Sequence, residues 1–259
     1  MARFKLTLEY EGTRYRGWQV QKNARTVAGE IEDAVRRFSD RRDFELYGSG
    51  RTDAGVHALA QVAHLDLNTT LDPERLRFAL NDELPADINV LSSVRVGRRF
   101  HARHDAVQRS YLYQVSRRRS ALAKPFVWWV KDALDADAMR EAALVFAGLH
   151  DFRSFAGGRP EEDDETRVKV DRVELAEAGS LILIRVVGSH FLWRMVRRMV
   201  GVLVECGRGD LARAEVPRML HAESDLPARL TAPPSGLFLE RVLYPGEVFD
   251  RPLRPVLDV

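Results

Sequence analysis

The sequence predicts an α+β protein of two α/β halves, residues 1–104 and 105–259, each built on an antiparallel sheet. The first half shows the order strand, helix, strand, strand, helix, strand, which is the ferredoxin-like or RRM-like arrangement. The second half repeats the alternation loosely after an arginine-rich connector. Two such halves leave a cleft between them, and ligands bind preferentially in clefts of this kind.

The elements of the first half follow from local patterns. Phe4, Leu6, Leu8 and Tyr10 alternate with polar residues, which is the period of a half-buried strand. Thr26 can cap a helix, and Asp72-Pro73 opens a second one, because proline suits the first helical turn. Further strands are predicted at 44–47, 61–67 and 88–96.

The second half is predicted in the same way. Tyr111, Tyr113 and Val115 mark a strand, and Asp135 caps a helix. The helix capped by Asp135 is predicted over 136–149. Paired strands are predicted at 168–175 and 181–187, further helices at 191–206 and 211–220, and a last strand at 237–244. Five consecutive acids, Glu161 to Glu165, predict a solvated loop.

Composition excludes several classes of protein. The 259 residues carry 40 basic and 38 acidic side chains, a net charge of +2, which excludes a histone-like polycation. The single Cys206 excludes an internal disulfide framework and a cysteine-based zinc cluster, and it fits a reducing cytosol. Neither a signal peptide nor a run of about 20 apolar residues is present. We therefore expect a cytoplasmic protein without a membrane partner.

The basic residues are unevenly placed. Of the 40, 35 are arginines, and eight of these lie between Arg95 and Arg119 against one acid, Asp105. Histidines and tyrosines are interleaved with them, as in a groove that binds a polynucleotide by charge and base stacking. This pattern favours a basic cleft for nucleic acid. A solvated hairpin in a protein whose genome favours arginine is the alternative.

The glycine-rich loop from Tyr47 to His57 is the densest candidate site. It matches neither a dinucleotide fingerprint nor a P-loop, because Asp53 takes the position of the third glycine and no Gly-Lys-Ser/Thr follows. It presents Asp53 two residues after Arg51. A carboxylate can act as a nucleophile at a sugar carbon or as a general base. Alternatively, Asp53 bonds only the backbone amides of a tight turn.

The predicted helix at 191–206 offers a partner for that carboxylate. Its apolar stripe leaves Arg194 and Arg198 on the opposite side, with Arg197 at the edge of the apolar arc. A half-buried arginine needs an acceptor, which Asp53 could supply, whereas an arginine that extends outward does not. His101 and His104 do not indicate a metal site, since no third ligand stands at a recognisable spacing.

The glycine-rich loop resembles the signature of the tRNA pseudouridine synthase A family, GRTDAGVHA, which residues 50–58 match in full. Further segments resemble that family's motifs in the same order. They are Tyr10-Glu11-Gly12 with Gly17-Trp18-Gln19, Phe100 to Arg103, Arg109 to Tyr113, Asp151 to Phe155, and Phe191 to Gly201. The resemblance covers nearly the whole chain.

The resemblance implies an enzyme that isomerises uridine to pseudouridine at positions 38, 39 and 40 of the tRNA anticodon stem and loop, without cofactor or metal. It implies that Asp53 is the catalytic aspartate, acting at the ribose C1′ or at C2′, and that Tyr111 stacks on the target base. It also implies that Arg197 pairs with Asp53 and that Arg51 holds the place of the flipped-out nucleotide or its phosphate. In such enzymes the two antiparallel sheets merge, and a homodimer binds tRNA through both subunits.

Departures from the family pattern are few. Glu11 replaces an aspartate, Ser189 replaces an asparagine, and Trp128-Trp129 occupies a stretch that often carries a tyrosine. A non-catalytic RNA-binding protein on the same scaffold would lack Asp53 or Arg197, and both are present. A nucleic-acid hydrolase would show clustered carboxylates for Mg²⁺.

Overall fold

A computed structural model describes residues 1–158, 161 and 165–257, and the chain folds into two compact units. The first unit contains Met1–Val107 and the returning segment Phe238–Phe249. The second contains Gln108–Leu237 and the tail from Asp250. Among the helices in these ranges, none is long and apolar enough to cross a membrane.

The first unit contains four strands and two helices before residue 107. They are β1 (Ala2–Tyr10), α1 (Val27–Ser39), β2 (Glu45–Gly48), β3 (His57–Leu67), α2 (Pro73–Glu83) and β4 (Ile88–Val96). Strand β1 lies between β4 and β3 and is antiparallel to both. Strand β2 pairs antiparallel with the second half of β3, so these four strands follow the order β4-β1-β3-β2.

The predicted elements of this unit are confirmed, with small shifts at their ends. In β1, Phe4, Leu6 and Leu8 are fully buried, as their alternation predicted. Thr26 caps α1 by accepting a hydrogen bond from the Gly29 amide at 3.2 Å. Asp72 caps α2 by accepting from the Arg75 amide at 2.9 Å.

In the described residues of the second unit there are five strands and four α-helices. They are β5 (Gln108–Ser116), β6 (Trp128–Trp129), α3 (Ala136–Ala143), β7 (Gly148–Asp151), β8 (Arg167–Ala178), β9 (Leu181–Gly188), α4 (Met195–Arg208), α5 (Glu215–His221) and α6 (Leu226–Arg229). Strands β5, β9, β8 and β7 are neighbours in that order and antiparallel, and β6 pairs parallel with β5. The predicted hairpin is confirmed, since Ala178 pairs with Leu181.

The last strand, β10 (Leu237–Leu243), is confirmed within one residue of its prediction. Its pairing partner in the first unit is the start of β3. The two run parallel there, with Phe238 opposite His57.

The prediction of one helix over 136–149 is wrong at its end. Helix α3 begins after Asp135, which accepts from the amides of Asp137 and Ala138, but it ends at Ala143. A single 3₁₀ turn follows, Ala147 is already extended, and the chain enters β7 at Gly148, whose φ of 117° favours glycine. Pairing of β7 with β8 satisfies the backbone that a longer helix would have used.

The predicted helix at 191–206 begins later and ends later. Helix α4 starts at Met195. Arg194 has a φ of 60°, in the left-handed region, so a right-handed helix cannot include it or extend to the residues before it. The predicted helix at 211–220 is limited to α5. Of the predicted acidic loop, residues 162–164 lie outside the described residues.

Candidate active site

Asp53 lies in the loop of residues 49–56 that connects β2 to β3. The first part of this loop is fixed by β3 itself. The Ser49 amide donates to the Val62 carbonyl at 2.7 Å, and the Ser49 hydroxyl donates to Gln61 Oε1 at 2.7 Å. Gln61 Nε2 in turn donates to the Gly50 carbonyl at 3.0 Å. Ser49 and Gln61 are both buried, so the loop starts from a rigid base.

The part of the loop around Asp53 is fixed by the segment after β1. The Trp18 amide donates to the Thr52 carbonyl at 3.1 Å, and the hydroxyls of Tyr10 and Thr52 are 2.8 Å apart. The Val56 amide donates to the Asp53 carbonyl at 3.2 Å, which closes the turn. Thr52 is therefore anchored on both its backbone and its side chain.

Two glycines permit this close approach. Gly17 has a φ of 94°, and a Cβ there would lie 2.4 Å from the Thr52 carbonyl oxygen. A Cβ on Gly12 would lie 2.0 Å from the Val56 carbonyl oxygen. Both glycines belong to the motifs Tyr10-Glu11-Gly12 and Gly17-Trp18-Gln19, for which the sequence showed only a resemblance. The structure gives them a packing role against the Asp53 loop.

The loop brings Arg51 and Asp53 together and leaves them accessible. Asp53 is partly buried and Arg51 is exposed. Within the described ranges, no side-chain hydrogen bond or ion pair is found for Arg51. An exposed guanidinium on a fixed loop can bind a phosphate or take the place of a base.

Tyr111 lies on β5 in the second unit. It pairs with Val186 of β9, so the two side chains lie on one face of the sheet. Phe191 presents an edge-to-face ring to Tyr111, with centroids 5.2 Å apart at 88°. Tyr111 is half-buried, which leaves part of its ring available for stacking.

Tyr113 lies on the same face of β5 but is fully buried. Its hydroxyl donates to the Pro233 carbonyl at 2.7 Å. Burial raises the pKa of Tyr113 well above its usual value, while the charge of Arg197 acts weakly in the other direction. Tyr113 is therefore a neutral hydrogen-bond donor over the physiological pH range. Only Tyr111 of the two has part of its side chain exposed, in agreement with the stacking role that the family resemblance implies for it.

Arg197 is half-buried on α4, as its position at the edge of the apolar arc predicted. Its Nε donates to the Ala232 carbonyl at 2.7 Å, and the Ala232 amide donates back to the Arg197 carbonyl at 3.1 Å. Gly201, one turn later, brings the helix against the Leu230 carbonyl. The segment after α6 therefore holds both Arg197 and, through Pro233, Tyr113.

Arg198 contradicts its predicted place opposite the apolar stripe. It is only 7% exposed and donates to the carbonyls of Ser154, at 3.2 Å, and Ala156. Burial, together with the charge of Arg194, lowers the pKa of Arg198 from its usual value. Arg198 therefore binds the 153–156 turn and is not a surface cation.

His101, one of the two histidines considered as metal ligands, has backbone partners for its ring. His101 Nδ1 accepts from the amides of Arg103 at 3.2 Å and His104 at 3.3 Å. In the part of the chain that the structure describes, no three His, Cys, Asp or Glu side chains are grouped as metal ligands would be. The contacts of His101 are those of a structural histidine.

Comparison with known proteins identifies a family. A sequence model of the tRNA pseudouridine synthases matches residues 7–105 and 142–245. The chain is 42% identical to tRNA pseudouridine synthase A of Rhodopseudomonas palustris, over 94% of this chain and 100% of that one. It is 41% identical to the protein of that name from Methylobacterium nodulans, over 97% and 100% of the two chains. It is 40% identical to the one from an Exiguobacterium species, over 94% and 98%.

Proposed function

The chain belongs to the tRNA pseudouridine synthase family of isomerases, and on that premise we propose that it converts uridine to pseudouridine at positions 38, 39 and 40 of the tRNA anticodon stem and loop. The observation that carries the proposal is the placement of the nine-residue signature, residues 50–58. Its first seven residues lie in the hydrogen-bonded loop that presents Asp53, and His57 and Ala58 begin β3. The reaction breaks the bond from C1′ to N1, rotates the uracil, and rejoins it through C5.

In this proposal Asp53 is the catalytic residue, acting as a nucleophile at the ribose C1′ or as a base at C2′. Either role needs a carboxylate held at a defined distance from the sugar. The hydrogen bonds to Thr52, the Asp53 carbonyl and Gly50 supply that restraint. The partial exposure of Asp53 allows a ribose to reach it.

Tyr111 stacks on the target base and keeps the freed uracil from leaving. The target uridine must first leave its stack in the RNA, at a cost of a few kcal/mol that contacts to the enzyme offset. The Phe191 edge fixes one side of the Tyr111 ring, and Val186 gives the neighbouring surface an apolar character. An apolar surface around a detached base also excludes water.

Arg197 pairs with Asp53 and keeps the carboxylate ionised, while Arg51 occupies the place of the flipped-out nucleotide or binds its phosphate. A guanidinium has five N–H donors in a fixed plane. The bond from Arg197 Nε to Ala232 orients that plane, which supports a directional pairing.

The larger arrangement is proposed with the function. It consists of two ferredoxin-like or RRM-like halves, 1–104 with the aspartate loop and 105–259 with Tyr111 and Arg197, whose sheets merge around a basic cleft. The strand order β4-β1-β3-β2 in the first unit supports this, because it is that of an antiparallel βαββαβ sheet. The enzyme works as a cytoplasmic homodimer with one tRNA contacting both subunits, and it uses neither metal nor cofactor.

The test is to incubate unmodified tRNA with the wild-type protein and with Asp53→Asn, and to map pseudouridine in the anticodon arm. The wild type should modify positions 38 to 40, and Asp53→Asn should be slower by ~10³-fold or more, because the carboxylate acts on the reacting sugar. An unmodified anticodon arm with the wild type, or equal rates for both proteins, would contradict the proposal.

Arg197→Ala separates pairing with Asp53 from simple binding of RNA. Its turnover should fall by roughly 10²-fold or more while its affinity for tRNA changes little. Arg140→Ala, which removes an exposed arginine of α3, is the matched control and should change neither quantity. Equal losses of turnover and affinity in Arg197→Ala would make it a phosphate contact.

A further inference from the structure

Four aromatic rings lie together in the first unit, apart from the Asp53 loop. Tyr47 stacks on His64, with centroids 5.3 Å apart and planes at 23°. His101 contacts both, at 5.8 Å from Tyr47 and 4.8 Å from His64, and His104 lies 4.2 Å from His101. His64 is 1% exposed and Tyr47 is 50% exposed. His64 is therefore the base of the cluster, and Tyr47 is its outer layer.

Two rings of the cluster, His64 and His101, are fixed by backbone hydrogen bonds. His64 Nδ1 accepts from the Ala102 amide at 3.1 Å, which binds the 101–105 turn to β3. His101 Nδ1 accepts from the amides of Arg103 and His104, and the His101 amide donates to Asp105 Oδ2 at 2.9 Å. Rings that are already immobile lose little entropy when a base stacks on them.

The cluster lies on the face of the sheet opposite to the core. Tyr47 and His64 are cross-strand partners and share one face. Leu65 and its partner Phe4 point to the other face and are fully buried. RNA-recognition sheets stack unpaired bases on aromatic side chains of one face, and Tyr47 gives this second face an exposed aromatic ring beside the 101–105 turn.

The charges around the cluster suit RNA. Arg99 and Arg103 are exposed beside it, and the one acid of the 101–105 turn, Asp105, is engaged by the His101 amide. Burial lowers the pKa of His64 to about 4, and burial with the nearby His104 lowers that of His101. At neutral pH the rings of His64 and His101 are therefore uncharged, and the arginines supply the positive charge that phosphates need.

We propose that Tyr47, His101 and His104 form a stacking platform for an unpaired nucleotide of the tRNA substrate, other than the one that is isomerised, with Arg99 and Arg103 at its phosphates. The inference rests on the proposed function. Tyr47 precedes Asp53 by six residues, a chain length that spans at most ~20 Å. The platform therefore lies within reach of nucleotides close to the target uridine.

Tyr47→Ala is the decisive variant. Stacking of one base on an aromatic side chain changes affinity by roughly 5- to 150-fold. The affinity for an unmodified tRNA transcript, measured by fluorescence anisotropy, should fall by about 10-fold in Tyr47→Ala and recover in Tyr47→Phe. The single-turnover rate of pseudouridine formation at saturating enzyme should fall less than the affinity does. A merely structural tyrosine would not give this split.

The control is Phe78→Ala, which removes an aromatic side chain that is also 50% exposed but lies on α2. It should bind tRNA as the wild type does. His104→Ala tests the platform a second time at an exposed residue, so that poor folding of one variant does not decide the outcome. Unchanged affinity in folded Tyr47→Ala and His104→Ala, or an equal loss in Phe78→Ala, would overturn the platform.

The outcomes separate this inference from the proposed function. If the wild type modifies tRNA and the platform variants bind normally, only the platform falls. If binding depends on the platform but the wild type forms no pseudouridine, the proposed function falls and an RNA-binding surface remains.

Discussion

Gly201 lies where helix α4 meets the backbone of Leu230, and Gly201→Ala is expected to destabilise the second unit by about 3 kcal/mol. An alanine Cβ at this position would lie 1.6 Å from the Leu230 carbonyl oxygen, where ordinary contact requires at least 3.4 Å. The obstacle is backbone and not the end of a flexible side chain. Helix α4 or the segment from Leu230 to Ala232 must therefore move by about 2 Å to restore ordinary contact.

The magnitude follows from what that movement disrupts. Overpacking of a buried contact costs roughly 1–3 kcal/mol. The two hydrogen bonds between Arg197 and Ala232, at 2.7 and 3.1 Å, contribute about 0.5–1.5 kcal/mol each. Against this, alanine favours a helix over glycine by about 1 kcal/mol. The balance lies near 3 kcal/mol, and the loss of the Ala232 contact should also slow any reaction that needs Arg197 in place.

The assay is urea unfolding at constant pH, with Gly97→Ala as the control. A Cβ at Gly97 meets no atom within 4 Å, so its effect should stay within about 0.5 kcal/mol. If Gly201→Ala is as stable as Gly97→Ala, or more stable than the wild type, the close approach of α4 to Leu230 is refuted. A stability loss without a fall in activity would refute the link to Arg197.

Two further predictions concern buried ionisable side chains. Arg198→Met should lower the free energy of unfolding by about 2 kcal/mol, because it leaves two buried carbonyls without their donor. A variant as stable as the wild type in urea would contradict the buried position of Arg198. His64 has a pKa of about 4, against 6.5 for the unfolded chain, so the unfolded state takes up the proton first as pH falls. The contribution of His64 to the free energy of unfolding is complete above pH ~6.5 and falls by about 3 kcal/mol towards pH 4. The free energy of unfolding of His64→Gln should therefore decrease less than that of the wild type between pH 7 and pH 4.5. Parallel curves of stability against pH would exclude His64 as the cause.

Local signals in the sequence were sufficient for most strands and for the starts of three helices. The strand at 88–96 is β4 to the residue, and Thr26, Asp72 and Asp135 each cap the helix they were expected to cap. These features depend on side chains within a few residues of each other, so the local sequence pattern is sufficient to predict them. The C-terminal end of α3 and the start of α4 depend on distant contacts and on single backbone angles, which a local pattern does not contain.

Arg198 shows the same limit at the level of a side chain. A helical wheel assigns an arginine opposite an apolar stripe to solvent. Here the carbonyls of Ser154 and Ala156, more than 40 residues away in sequence, favour burial because they accept hydrogen bonds from Nη1 of the guanidinium. The position of Arg197 at the edge of the apolar arc was predictable, whereas its anchor, Ala232, was not.

The position of the Asp53 loop depends on residues outside the signature that contains Asp53. Asp53 contributes the carboxylate, but the position of that carboxylate depends on Ser49 and Gln61 on one side and on the Gly12 to Trp18 segment on the other. A reaction at a ribose carbon tolerates displacements of only ~0.5 Å in the attacking group. A loop without regular secondary structure meets that tolerance only when neighbouring segments fix its backbone, and at Gly12 and Gly17 any side chain would displace it. If Asp53 acts as proposed, the glycine and tryptophan motifs near the N-terminus contribute to its function by fixing the loop, without contact to the substrate.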